Sequence, residues 1–264
     1  MSGRGQTRLP TAIYVAGAAG LAVVAVPMIG LLVRTPWTDL GGLLASGVVV
    51  DALRLSLLSS IAATLVAAIV GIPLAIVLAR TDFPGRSLVR GLVLLPLVLP
   101  PVVGGAALLF ALGRRGVVGG PIADLTGLVL PFSTLGVVLA VTFVSLPFMV
   151  LTVEGSLRNL DRRYEGAATS LGATPWTVLR RVTLPMVLPS LISGFVLTWA
   201  RALGEFGATI TFAGNLPGKT QTLPLAVYVA LEQDRDAAVA ISLVLVAISL
   251  IVLVSLRDRW WRAL

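Results

Sequence analysis

Residues 55–79 read LSLLSSIAATLVAAIVGIPLAIVLA, a run of 25 positions without a single charge. A helix rises about 1.5 Å per residue, so about 20 apolar residues cross a hydrocarbon core about 30 Å thick. Five further runs meet the same criterion: Ala12–Val33, Gly91–Leu112, Thr134–Val153, Pro189–Ala213 and Ala237–Leu256. None alternates apolar and polar residues, which excludes a membrane β-barrel. The fold class is an all-α membrane protein with six transmembrane helices, and an even number of spans puts both termini on one side.

Composition agrees. Of 264 residues, 57% are hydrophobic and 12% charged, with a mean hydropathy of +0.99; a soluble domain carries about 25% charged residues. The chain has no cysteine and no histidine, which removes disulfides, thiolate chemistry, imidazole metal sites and histidine acid–base catalysis. A net charge of +8 would suggest nucleic acid in a soluble protein. Here it encodes orientation instead. Thirteen arginines (4, 8, 80, 86, 90, 158, 162, 163, 180, 181, 257, 259 and 262) fall on the side of the termini, against six basic residues opposite (Arg34, Arg54, Arg114, Arg115, Lys219 and Arg235). The positive-inside rule makes that first side cytoplasmic, with Trp260 and Trp261 as interfacial anchors. The first run is too long for a signal-peptide core and no small-residue cleavage site follows it, so it reads as an uncleaved helix.

Three segments carry the functional signal. The first is cytoplasmic, Asp161 to Pro185: DRRYEGAATSLGATPWTVLRRVTLP. Asp161 can cap a short helix that Gly172 ends in a left-handed turn, and Thr174 caps a second helix with Pro175 at its first position. Two small helices with so little apolar bulk need a partner. Either they dock on another protein through their Ala and Gly faces, or they lie on the lipid headgroups with Trp176 and the arginines as anchors. The second segment is the third span, where Pro96, Pro100 and Pro101 precede Gly104 and Gly105. Proline frees a backbone carbonyl, which a membrane tolerates beside a cavity or inside a tight helix contact. The third is the fifth span, with Arg201 and Glu205 four residues apart. Arg201 lies about 18 Å past Pro189 along a helix, so the two charges should face the interior and pair, either lining a polar path or bridging helices. The string Ala213–Thr220, AGNLPGKT, satisfies a degenerate phosphate-loop pattern. It follows a membrane helix rather than a strand and contains Pro217, which has no N–H, so it is not an ATP site.

The 161–185 segment resembles the EAA loop of importer permeases of the ABC transporter superfamily. Ala167, Ala168, Gly172, Val182, Leu184 and Pro185 stand at the motif positions; Gly166 occupies the place of the usual Glu, with Glu165 one residue earlier. The string from Ala200 to Tyr228 is similar to the signature of molybdate and sulfate importer permeases, and GEFGAT at 204–209 is closer to the molybdate branch. The resemblance implies a type I importer permease fold over residues 53–256, preceded by a tail, first helix and outer loop (1–52) and followed by a cytoplasmic tail (257–264). It implies coupling to an ATPase through Glu165, Gly166, Ala167, Ala168, Gly172, Ala173, Thr174 and Pro175. A translocation path or gate is expected near Pro100, Pro101, Arg201, Glu205 and Thr209. The implied partners are a second copy of the chain, a cytoplasmic ATP-binding subunit dimer, an extracytoplasmic molybdate-binding protein, the oxyanion itself and the lipid bilayer, with no nucleic acid. No catalytic residue, metal or cofactor is expected in this chain; ATP and Mg belong to the ATPase. The alternatives are a sulfate or thiosulfate permease of the same fold, and a stand-alone channel or membrane assembly protein.

Overall fold

The computed structural model describes residues 10–260, with side chains as far as Val254. Arg4, Arg8, Trp261 and Arg262 lie outside the described residues, as do the side chains of Arg257, Arg259 and Trp260. Among the described residues every regular element is a helix. The order is α1 (Thr11–Val33), α2 (Leu40–Leu44), α3 (Gly47–Arg80), α4 (Arg86–Val98), α5 (Pro101–Leu112), α6 (Gly119–Thr126) and α7 (Thr134–Asn159). Then follow α8 (Arg163–Ser170), α9 (Pro175–Val178), a π-helical turn (Leu179–Thr183), α10 (Leu184–Leu203), α11 (Gly207–Phe212), α12 (Leu223–Gln233) and α13 (Arg235–Trp260).

The six-span expectation is met only in part. Five segments are long and apolar enough to cross a membrane: α1, α3, α7, Pro175–Leu203 and α13 up to Val254. The run Gly91–Leu112 is not one helix. Leu99 and Pro100 take extended dihedrals (ψ 134° and 131°), ending α4 and starting α5 with Pro101 at the first helical position. The residue before a proline avoids the helical region, and two consecutive prolines enforce that at Leu99 and Pro100. The run Pro189–Ala213 is also broken, between Leu203 and Gly207, where a continuous helix was expected. Helix α3 begins eight residues before the apolar run, because Asp51 and Arg54 stop the hydrophobicity without stopping the helix. Likewise α7 runs on to Asn159, so Glu154, directly after the apolar run Thr134–Val153, is a buried helical residue.

Helices α3 and α7 lie along each other with α10 packed on both. Their contact includes small residues on α3, where Ala63 packs with Val137 and Val141 of α7 and a Cβ on Gly71 would meet Leu146, Met149 and Val150. Small side chains allow the close backbone approach that dispersion forces require when lipid offers no hydrophobic drive. Hydroxyls tie α3 to α10 and α12. The Ser60 hydroxyl accepts from Trp199 Nε1 at 2.9 Å, and the Ser56 hydroxyl accepts from the Leu223 N–H at 2.7 Å. The first helix buries none of its residues, so α3, α7 and α10 form the core that positions everything below.

Candidate functional site

Two features stand out: a knob of short helices at one end of the bundle, and a pair of helix breaks within it. In the knob, the Asp161 carboxylate accepts from the Arg163 N–H at 2.9 Å where α8 begins. Gly172 has φ +84°, and the N–H groups of Ala173 and Gly172 donate to the carbonyls of Ala168 and Thr169 at 3.1 and 2.9 Å. That six-to-one and five-to-two pairing is a Schellman stop, and glycine is what the left-handed position asks for. The Thr174 hydroxyl then accepts from the Thr177 N–H at 3.3 Å, with Pro175 opening α9 as the sequence indicated.

The eight residues expected to couple to a partner gather on this knob with two orientations. Gly166, Ala167, Gly172, Thr174 and Pro175 are exposed, flanked by Leu171 at 90% and Trp176 at 68% exposure. Glu165, Ala168 and Ala173 turn inward and are half-buried. The Glu165 carboxylate accepts from Arg80 Nη2 at 2.9 Å and from the Thr183 hydroxyl at 2.7 Å. A second carboxylate sits nearby in role: Glu154 on α7 is held by Arg90 of α4, with Arg158 Nη1 at 3.7 Å. Sequence reading missed Arg80, Arg90, Glu154, Arg158 and Thr183. A signal was available only for Glu154, an acid directly after an apolar run.

Inside the bundle the two breaks meet. A Cβ placed on Gly207 would lie 2.7 Å from Pro101 Cβ, and one on Gly105 would lie 2.7 Å from Thr211 Cβ and 2.8 Å from the Ala208 carbonyl oxygen. Helices α5 and α11 therefore touch backbone to backbone, and both start at a break. Arg201, on the last turn of α10, pairs with Glu205 at 2.7 Å across the break. The other Glu205 oxygen accepts from the Ala208 N–H at 2.8 Å, giving one of the free N–H donors at the start of α11 its acceptor. Thr209 is fully buried and its hydroxyl has no hydrogen-bond partner. The structure thus brings Pro101, Arg201, Glu205 and Thr209 around one joint, with Pro100 exposed at its edge. A tilted ring contact between Phe206 and Tyr228, with centroids 5.4 Å apart, joins the break to α12. The phosphate-loop-like string is a compact turn: the N–H groups of Lys219, Thr220 and Gln221 all donate to the Leu216 carbonyl, so these three consecutive donors are turned inward rather than toward a phosphate.

Residues 71–263 match the model of the family described as the binding-protein-dependent transport system inner membrane component. The chain belongs to this family. Membership makes it a permease, a multi-pass component of the cell membrane whose task is transport rather than catalysis. Among curated relatives, the molybdenum transport system permease protein ModB of Mycobacterium tuberculosis is 47% identical over 231 residues, 88% of this chain and 87% of its own. The ModB of Escherichia coli K12 is 46% identical over 182 residues, 69% of this chain and 80% of its own. A probable sulfate transport system permease protein of Marchantia polymorpha is 38% identical over 217 residues, covering 81% and 75%. In fold, the permease superposes on a chain of a bacterial ABC transporter that imports the polysaccharide alginate, with a TM-score of 0.77, 18% identity and 96% and 94% coverage.

Proposed function

We propose that this permease is the membrane subunit of an ATP-driven importer of molybdate, with tungstate carried as a near-identical dianion. The observation that carries the substrate is the identity difference: 46–47% to molybdenum permeases against 38% to the sulfate permease. The ligand chemistry alone cannot decide it, because hydroxyl, amide and arginine donors bind any tetrahedral dianion. A sulfate or thiosulfate importer is the second reading, favoured by that 38% relative over most of the chain.

Two copies assemble around a central path, counting the α4–α5 pair as the third of six crossings and α10–α11 as the fifth. Termini and the 161–185 loop face the cytoplasm, in keeping with the arginine count. Two ATPase subunits, which hold the ATP and Mg, dock on the exposed Gly166, Ala167, Gly172, Thr174 and Pro175 face; an outer binding protein delivers the oxyanion. The transporting body is 53–256, with 1–52 and 257–264 flanking it. Broken helices support a path at the joint of α5 and α11, since bare backbone at membrane depth is tolerated where it lines a cavity or is packed in protein. Pairing with Arg201 keeps Glu205 from repelling an anion there. The test is ATP-dependent uptake of labelled oxyanions into liposomes holding the full complex. Uptake of molybdate and tungstate, with sulfate excluded, is expected; preferential sulfate uptake contradicts the substrate, and no ATP dependence contradicts the importer.

A further inference from the structure

Helix α8 buries none of its residues, so apolar packing does not hold it to the bundle. A carboxylate does. Glu165, in the first turn of α8, reaches Arg80, the last residue of α3, and Thr183, the last residue of the π-helical turn that feeds α10. One oxygen, Glu165 Oε1, therefore joins three elements. The Arg80 and Glu165 side chains are 16% and 20% exposed, a setting in which charge-assisted bonds are short and comparatively strong.

The covalent route from α9 to α10 passes through the π-helical turn Leu179–Thr183. Wide turns of this kind are points of local compliance, and the Gly172 joint before α9 is another. A push on α8 that travelled only along the chain would be absorbed at both. The clamp bypasses them and ends on α3, which lies along α7 and touches the α10 side chain Trp199 through Ser60. A cleft of about 460 Å³, lined in part by Ile76, Arg80, Glu165 and Thr183, separates the knob from α3, so α8 has room to move independently if the clamp is cut.

We infer that Glu165 is a positioning residue for transport: displacement of the knob reaches α3 and α10 through the Glu165–Arg80–Thr183 clamp. This rests on the coupling role proposed above and assigns it a force-bearing side chain, one that faces the bundle rather than the ATPase. The test uses the full complex in liposomes and reads molybdate taken up per ATP hydrolysed, together with retention of the ATPase on purification. Glu165→Gln and Arg80→Gln should each lower uptake per ATP about tenfold, the loss of one charge-assisted bond, while the ATPase still co-purifies. The exchange Glu165→Arg with Arg80→Glu should recover most of it, which a fault in folding would not allow. Unchanged uptake per ATP in Glu165→Gln overturns the clamp, as does loss of the ATPase from that variant, which would make Glu165 a partner contact. Those outcomes leave the importer reading standing. A wild-type complex without ATP-dependent uptake overturns both.

Discussion

Glu205 is 2% exposed, and both of its oxygens are bonded, one to Arg201 and one to the Ala208 N–H. Removing Arg201 alone leaves a buried carboxylate without its counter-charge, a change that typically costs about 3–5 kcal/mol. Arg201 is itself 29% exposed, so the lower end of that range applies. Arg201→Met should therefore lower the melting midpoint in detergent more than the double change Arg201→Met with Glu205→Gln, in which the buried charge is gone too. Equal midpoints would show that the two residues act independently. A second contrast lies in the knob. Gly172 has φ +84°, where a side chain costs about 1–2 kcal/mol, whereas Gly166 is helical with open space around it. Gly172→Ala should accelerate amide exchange across α8 and α9, and the bulkier Gly172→Leu should also abolish coupling; Gly166→Ala should slow exchange slightly, since alanine favours a helix by about 1 kcal/mol over glycine. Accelerated exchange in both would contradict the Schellman assignment. The turn at Gly172 was legible because its chemistry is local. The inward aim of Glu165 was not, because its partner Arg80 lies 85 positions away and no local rule selects it from among 20 basic residues.

The α5–α11 contact depends on glycine at the points of closest approach, with a Cβ on Gly105 meeting the Ala208 carbonyl oxygen at 2.8 Å. Backbone cannot move aside as a flexible side chain can. Gly105→Leu should destabilise the bundle by about 1–3 kcal/mol through overpacking, seen as a lower midpoint and a smaller folded yield. Gly91→Leu, on α4 where nothing lies within 4 Å, serves as the control and should lower neither. The break that opens α5 could be read from the sequence because Pro100 and Pro101 act on the backbone directly. The matching break at 204–206 could not. Its residues, Gly-Glu-Phe, carry no proline and continue a helical pattern; what ends the helix is the Glu205 side chain turning to cap α11. Buried hydroxyls were legible in part: Ser56, Ser60 and Thr64 recur at four-residue spacing, the mark of one helix face, but their partners on α10 and α12 are set by packing.

At the scale of the whole molecule, hydropathy located the membrane-crossing material and missed the breaks within it, because a window average registers apolar content and is blind to whether the backbone is continuous. Helix α1 is apolar all round and touches little of its own chain, so its surroundings are lipid or another subunit. The chain also exposes Val98, Val102 and Val103 beside the α4–α5 break. In the proposed function, this permease converts ATP hydrolysis by a partner into oxyanion movement through the 161–185 loop. The most direct measurement is ATP hydrolysis by the reconstituted complex as molybdate-loaded binding protein is added, with the native loop and with residues 161–174 replaced by a Gly/Ser linker. Stimulation by the loaded binding protein that disappears with the linker is the predicted result. Undiminished stimulation with the linker in place would contradict it.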